Sequence, residues 1–504
     1  MLKRFCQCIG LSSLILVMNY GDLLGGGGDV RLHVPWSLAM ICVAQILDIA
    51  LLGLAIFAVF ALVERTRFYP WMLLLIAMTV PPYLVERMRD LFPFEMASGL
   101  LPLLAVLWAA VILLIFLQRP SWYRGILKLG DAVGVFLAIF AFCSIAQLAW
   151  IMRWKPGTQQ YAATWTKSAQ SPRQHPLLVW VVFDELSYDQ VFEHRAHDLQ
   201  LPAFDSLRSQ STVFTDVQPI GRRTVMVIPS LFTGHIVDDY RYSLHNRFSV
   251  HYTNVPGWHL LDGSQTVFAD AQKSGWRTAA VGWYNPYCSL YTRAIDNCYW
   301  TNRDTIDGPM AQGHSLLRNT LSPLQQMARE VISSTKNADR DICSYDVRQR
   351  YQTHIDLQSH AMELLQTDQA DFIFLHLSIP HSPNIWSRLN DNYTQTCGSS
   401  YLDNLALADR SLGRILGILK SSPRWNDTTL IVQGDHSWRI DLWNWMPAWT
   451  AEDEVASRQV YDPRPALLIH QAGQTQPQLH ATAWSLLQVH DVVEAVLAGK
   501  LVSR

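Results

Sequence analysis

Apolar positions crowd the first 153 residues and thin out afterwards. Long apolar stretches fall near residues 5–24, 35–63, 68–85, 98–118 and 132–152, each close to the ~20 residues that a helix needs to cross a bilayer. About five transmembrane helices are therefore expected in residues 1–153. Basic residues give them an orientation. Lys3, Arg4, Arg65, Arg67, Arg119, Arg124 and Lys128 fall on one side of such a bundle, against Arg31, Arg87 and Arg89 on the other. Positive charge is retained on the cytoplasmic side, so the chain beyond Arg153 is expected outside an inner membrane, on the periplasmic or extracellular face. Asp48 lies within the second span, where a charge is costly; it reads as partner-facing or protonated, and no role is assigned to it.

After residue 153 the pattern changes. Residues 155–174 are polar and rich in Gln, Ser, Thr and Lys, and residues 154–175 read as a linker. Residues 177–183 (Leu-Leu-Val-Trp-Val-Val-Phe) then form the continuous apolar run typical of a strand buried on both faces of a parallel sheet. Similar runs recur at 278–281, 372–377, 429–432 and 466–469. Helical spacing lies between them, clearest at 401–419, where Leu405, Ala408, Leu412, Ile415 and Leu416 share one face. Strands alternating with helices predict an α/β domain over 176–504, its mainly parallel sheet covered by helices on both sides. The Gly25–Gly28 run reads as a loop, and the polar region 300–350 receives no element.

Charge narrows the partners. The 504-residue chain carries a net charge of −2, and beyond residue 153 it holds 34 acidic against 29 basic residues, so nucleic acid is not expected. Cys6, Cys8, Cys42 and Cys143 lie in the apolar part, while Cys288, Cys298, Cys343 and Cys397 lie in the later domain. An even set in an exported domain points to two disulfides. Cys288–Cys298 with Cys343–Cys397 is the simplest of the three pairings.

Candidate chemistry sits where strands end. In an open α/β sheet, ligands gather beyond the carboxyl ends of the strands. Asp184 and Glu185 directly follow the first apolar run, and Gly434-Asp435-His436 follows the run at 429–432. Adjacent acids ending a buried strand are costly unless a cation neutralises them, and mixed Asp/His ligation suits zinc or manganese better than calcium. Each pair alone is matched by a plainer reading, a helix cap or a turn Asp beside a surface His.

Other segments resolve the choice. Thr224-Val-Met-Val-Ile-Pro-Ser-Leu-Phe-Thr-Gly234, Leu-Pro-Ala-Phe-Asp-Ser-Leu from 201, Leu-His-Leu-Ser-Ile-Pro-His-Ser-Pro from 375 and Ala-Asp-Arg-Ser-Leu-Gly from 408 stand in order with the acidic motifs. Over roughly residues 176–498 the chain resembles the alkaline phosphatase and sulfatase superfamily. It is most similar to the inner-membrane branch that includes phosphoethanolamine transferases and phosphoglycerol transferases of the lipoteichoic-acid type. Sulfatases place a Cys or Ser ten positions before the glycine of Leu-x-Thr-Gly; here that position is Thr224, and Met226 and Ile228 stand where the maturation motif has Pro and Arg.

The resemblance implies an alkaline-phosphatase-like domain with a divalent metal, zinc or manganese, held by Asp184, Glu185, Thr224, Asp435 and His436. It implies Thr224 as nucleophile, and His381 as the residue that contacts substrate or protonates the leaving group. Arg222, Arg223, His376 and Arg439 are expected to bind substrate, and Trp438 to line the pocket. His470 and His480 are left outside the site. The expected reaction is phospho-group transfer or hydrolysis on lipid or envelope-glycan esters, with a lipid-linked donor. Sulfate-ester hydrolysis and an inactive lipid- or glycan-binding protein are the alternatives, and oligomeric state is not read from the sequence.

Overall fold

The computed structural model describes residues 1–17, 20, 24, 38–91, 100–152, 175–242, 248–291, 293–301, 315–332, 338–446, 448–457 and 461–500. The Gly25–Gly28 run and the polar stretch 155–174 lie outside the described residues. The rest divides into two compact units, the N-terminal helices with residues 315–327 forming one and residues 175–301, 328–332 and 338–500 the other, so that helix Leu316–Ile332 runs across the division.

The first unit contains helices Leu2–Ile15, Leu38–Val63, Tyr69–Leu91, Leu100–Gln118 and Pro120–Ile151. Among the described residues, Ala39–Val63 and Pro120–Ile151 are long and apolar enough to cross a membrane. Leu103–Gln118 is apolar but shorter, and Tyr69–Leu91 contains Pro81 and Pro82. Among the described residues, two of the five expected spans thus have the length and apolarity that a crossing needs. Gly10 lets helix Leu2–Ile15 approach Pro120–Ile151 closely, because a Cβ there would stand 2.5 Å from the Leu137 carbonyl carbon. Asp48 is fully buried among these helices.

The second unit is a three-layer α/β domain. Its main sheet has eight strands: β1 (Leu177–Asp184), β2 (Thr212–Phe214), β3 (Thr278–Trp283), β4 (Asn297–Thr301), β5 (Phe372–Pro380), β6 (Thr428–Gly434), β7 (Leu467–His470) and β8 (Gln478–His480). Their spatial order is β8-β2-β7-β6-β1-β5-β3-β4. Only β7 in this sheet runs against the others, pairing antiparallel with β6 and β2. Both faces are covered, and β1 explains why. Leu177, Val179, Val181 and Phe183 pack on one side with helix Tyr401–Ser421, whereas Leu178, Trp180 and Val182 pack on the other with helices Thr224–Thr233 and Val489–Leu497. Alternate side chains of a strand point to opposite faces, so two buried faces leave no polar position to interrupt the run.

Helix Tyr401–Ser421 starts at a capping box between Ser400 and Asp403 and buries the expected Leu405, Ala408, Leu412, Ile415 and Leu416. The unassigned region holds helices Leu316–Ile332 and Ala338–Gln366. A three-stranded antiparallel sheet, Val237–Tyr242, Phe248–Tyr252 and Val255–Leu260, also went unread in the sequence. The disulfides are Cys288–Cys298 and Cys343–Cys397, the simplest pairing.

Candidate active site

Parallel pairing brings the ends of β1 and β6 level. Phe183 pairs with Gly434, so the next residues, Asp184 and Asp435, leave the sheet side by side, and both are fully buried. β5 adds His376, level with Val182. Thr224 opens helix Thr224–Thr233 directly after Arg223, whose backbone is extended. Gly234 closes that helix at φ +71°, where a Cβ would also strike the His490 ring at 2.7 Å; both requirements favour glycine.

These segments meet at the carboxyl edge of the sheet. Thr224 Oγ1 lies 2.8 Å from Asp435 Oδ2, 3.2 Å from Asp184 Oδ2 and 3.4 Å from His436 Nε2. His436 Nε2 is 3.2 Å from Asp435 Oδ2, and His376 Nε2 is 3.7 Å from Asp184 Oδ2. One donor atom each from Asp184, His376 and Asp435 lie within 4.8 Å of one another, and so do donors from Asp184, Glu185 and His436.

The donor set fits a divalent metal on its own chemistry. Asp184 Oδ1 and His376 Nε2 are buried without a hydrogen-bond partner, a state that costs ~1–3 kcal/mol per group. A cation among these carboxylate, hydroxyl and imidazole donors removes that cost, and N/O ligation of this kind suits zinc or manganese. The outer hydrogen bonds orient the rings. His436 Nδ1 donates to the Ser437 carbonyl at 3.0 Å, which leaves a lone pair on the Nε2 that faces Thr224. His376 Nδ1 meets the Tyr287 hydroxyl at 2.7 Å, the kind of outer partner that fixes a ligating imidazole. His376, expected on the substrate, is fully buried on β5 and stands beside Asp184 among the groups that could hold an ion.

The sulfatase family model matches residues 176–443, more than half of the 504-residue chain. The chain belongs to the sulfatase family. It is a sulfatase-family hydrolase, in a superfamily whose enzymes use a divalent metal. Among solved structures, a sulfatase from Pseudoalteromonas sp. is similar at 13% identity and TM-score 0.42, over 65% of this chain and 68% of that one. The phosphonate monoester hydrolase of Agrobacterium radiobacter matches at 14% and 0.40, over 65% and 78%. An alkaline phosphatase superfamily protein from Vibrio parahaemolyticus matches at 15% and 0.38, over 66% and 68%. No curated protein matches the chain.

Electrostatics divides the two acids of this sulfatase-family site. Burial works to raise the Asp184 carboxyl, but the imidazoles of His381, His376 and His436 outweigh it and hold the group below its ordinary value. Asp435 is pushed up, by burial first and then by the charge on Asp184. Glu185 is also fully buried and sits at φ +66°. Its N–H donates to Asp435 Oδ1 at 3.1 Å, while its carboxylate accepts from Arg439 Nε at 2.6 Å and from Trp443 Nε1 at 2.9 Å.

Each arginine expected on the substrate has a partner within the protein. Arg439 was expected on the substrate, but its Nε holds Glu185 and its Nη1 donates to the Arg222 carbonyl at 3.3 Å; a buried carboxylate needs a charged partner, and this guanidinium supplies it. Arg222 pairs with Asp441 and lies over the Tyr461 ring. Arg223 donates to the Tyr240 hydroxyl at 2.5 Å. Trp438 is buried, stacked on Tyr401 at 4.3 Å. His470 stacks on Trp425 and bonds the Gln210 carbonyl, and His480 contacts Phe214 and Thr482; neither belongs to the described metal groups.

His381 packs edge-on between Trp283 at 5.0 Å and Trp443 at 4.9 Å. Burial lowers its pKa well below the usual histidine value; Asp184 pulls it back up, while Arg350 and Arg439 lower it further. Its Nδ1 lies 2.5 Å from the Ser382 carbonyl and 3.1 Å from Arg350 Nη2.

Several members of the site carried no sequence signal that was used. Asn285 donates to the Thr224 carbonyl at 3.3 Å, Tyr287 orients His376, and Trp443 holds Glu185. Asn285 and Tyr287 follow β3, so the strand-end rule applied to β1 and β6 also reaches them.

Proposed function

We propose that this protein is a membrane-anchored, metal-dependent phospho-group transferase or hydrolase, acting through Thr224 on phosphate esters of lipid or envelope glycan outside an inner membrane. The observation that carries the reading is the position of Thr224 Oγ1, within 3.4 Å of both acids and His436 at the start of a helix. A helix N-terminus favours an approaching phosphate. The hydroxyl at this station, in place of Cys or Ser, with Met226 and Ile228 in the maturation positions, favours phosphoryl over sulfuryl chemistry. Two disulfides support an oxidising compartment. The apolar helices and the charge asymmetry support five spans with the catalytic unit outside. An anchored catalyst also suits a lipid-linked donor confined to the bilayer.

When bound, a divalent ion lowers the pKa of a hydroxyl and polarises a phosphoryl oxygen. Thr224 Oγ1 attacks phosphorus in line and passes its proton to Asp435 Oδ2, 2.8 Å away. The ester P–O bond breaks, and the leaving oxygen keeps the electron pair and takes a proton from water. In the second half, an acceptor hydroxyl or water attacks phosphorus and gives its proton to His381 Nε2. The P–Oγ1 bond breaks, Thr224 recovers the proton from Asp435, and His381 gives its proton to the hydroxide left from the first half, which restores the starting state.

Metal analysis of the purified protein, with a phosphodiester assay on wild type and Thr224→Ala, tests this. The proposal expects bound metal in wild type and turnover lost in the variant. Equal turnover by both removes the mechanism, metal without turnover favours a binding protein, and cleavage of sulfate esters alone favours the sulfatase alternative.

A further inference from the structure

The loop carrying His381 is held by a residue from the region whose sequence carried no legible pattern. Arg350 lies on helix Ala338–Gln366 and is 3% exposed. Its Nη1 donates to the Ser378 carbonyl at 3.0 Å and its Nη2 to the Ser382 carbonyl at 2.9 Å. One planar fork therefore grips backbone on both sides of His381, a geometry that lysine cannot copy. The guanidinium carbon stands 4.2 Å from the centroid of Trp283, the ring that packs on His381. The helix is itself fixed: Val347, Leu357, Ala361 and Leu364 bury it in the core, and Cys343–Cys397 ties it to the chain beyond β5.

The same fork bears on which nitrogen of His381 is open. The Ser382 carbonyl receives Arg350 Nη2 and lies against His381 Nδ1, while Nη2 stands 3.1 Å from that nitrogen. The loop thus engages Nδ1 through both the Ser382 carbonyl and the guanidinium, and Nε2 is the ring nitrogen turned away from these contacts. We propose that Arg350 is a positioning residue for the reaction: it fixes residues 378–382, at the end of β5, so that His381 presents Nε2 to the site. Arg350 does not itself touch substrate. This rests on the role given to His381 above.

The test is a double-variant cycle on the full-length protein with Arg350→Gln, Arg350→Lys and His381→Ala. In Arg350→Gln, kcat should fall about 10- to 100-fold with KM and bound metal little changed, as for a misplaced catalytic group. Arg350→Lys should recover only part, because it keeps the charge but not the fork. In the His381→Ala background, Arg350→Gln should cost nothing further. An undiminished kcat, or an equal loss with and without His381, overturns the proposal. Should Arg350→Gln fail to fold, the same comparison is made with Arg350→Lys.

An arm independent of turnover separates this proposal from the functional reading. Diethylpyrocarbonate modification of the peptide containing His381 should be faster in Arg350→Gln than in wild type, because the ring is released. An unchanged rate overturns the positioning role even if the enzyme proves active. A faster rate in a protein without phosphoesterase activity upholds the positioning role and discards the function proposed above.

Discussion

The two edges of the main sheet treat charge in opposite ways. At the amino edge of β5, Asp371 is buried and fully paired, accepting from Arg277 Nε at 2.8 Å, Arg277 Nη2 at 2.7 Å and Arg424 Nη2 at 3.0 Å. At the carboxyl edge, Asp184 and Asp435 are buried beside each other, Asp184 Oδ1 and His376 Nε2 lack partners among the described residues, and burial and the charge on Asp184 raise the Asp435 carboxyl above its ordinary value. One edge spends its charges on holding the fold. The other leaves one carboxylate oxygen and one imidazole nitrogen without a partner among the described residues, as suits a site that takes a cation. Substitutions at the two edges should therefore move activity and stability in opposite directions.

The largest effect is expected from Asp435→Asn. Metal content and phosphoesterase activity should collapse, the latter by roughly 10³-fold or more, while the metal-free variant should melt no lower than metal-free wild type. The sign follows from the raised pKa: a carboxyl whose folded value lies above its unfolded value penalises the folded state at neutral pH, and asparagine removes that penalty. Metal assay, turnover and calorimetry check it. A marked fall in the stability of the metal-free variant would break the contrast between the edges.

Asp371→Asn should do the reverse. Removing one partner of a buried ion pair leaves Arg277 and Arg424 short of charge, and a loss of about 3 kcal/mol is expected, read as a lower denaturation midpoint with kcat unchanged. Burial works to raise the Asp371 carboxyl, but the Arg277 hydrogen bond and the charges on Arg277 and Arg424 lower it below its ordinary value. The stabilisation is therefore present above the ordinary carboxylate pKa and lost as pH falls through the lower folded value. Asp371→Asn should flatten that acid limb.

Glu185→Gln lies between the extremes. It keeps an acceptor for Trp443 but not the charge that holds Arg439, and activity should fall about 10- to 100-fold, as when an outer partner of a metal site is removed. A smaller effect is expected away from both edges, at Asp409. This carboxylate accepts from the N–H groups of Ala203 and Phe204, both at 2.9 Å, and burial raises its pKa from 3.8 to about 6. The native state then binds more protons than the unfolded chain, so stability should decline as pH rises from 4 toward 6. Asp409→Asn should remove that slope in a pH series of melting temperatures.

Much of the working edge was legible in the sequence for a geometric reason. A parallel sheet delivers its strand ends to one side, so Asp184, Asp435 and His436 could be placed together from their positions after apolar runs, and the ten-residue spacing to Gly234 located Thr224. Position on the edge does not specify partners. Whether Glu185 meets a metal or Arg439, and whether His376 or His381 faces the cation, depends on contacts between segments far apart in the chain. Helix Ala338–Gln366 was illegible because it buries Arg350, Thr353, His354 and Gln358, polar residues that erase the apolar period by which a helix is recognised. The two spans of sufficient length stand out because composition alone marks a membrane helix.

The central claim is that Thr224 becomes covalently phosphorylated during turnover. Rapid acid quench of the enzyme with a phosphodiester substrate, followed by peptide mass spectrometry, tests it most directly. A phosphothreonine at residue 224, absent in Thr224→Ala and in metal-depleted enzyme, is the predicted result. A protein that turns over substrate with no adduct at Thr224, or equally well as Thr224→Ala, contradicts the account.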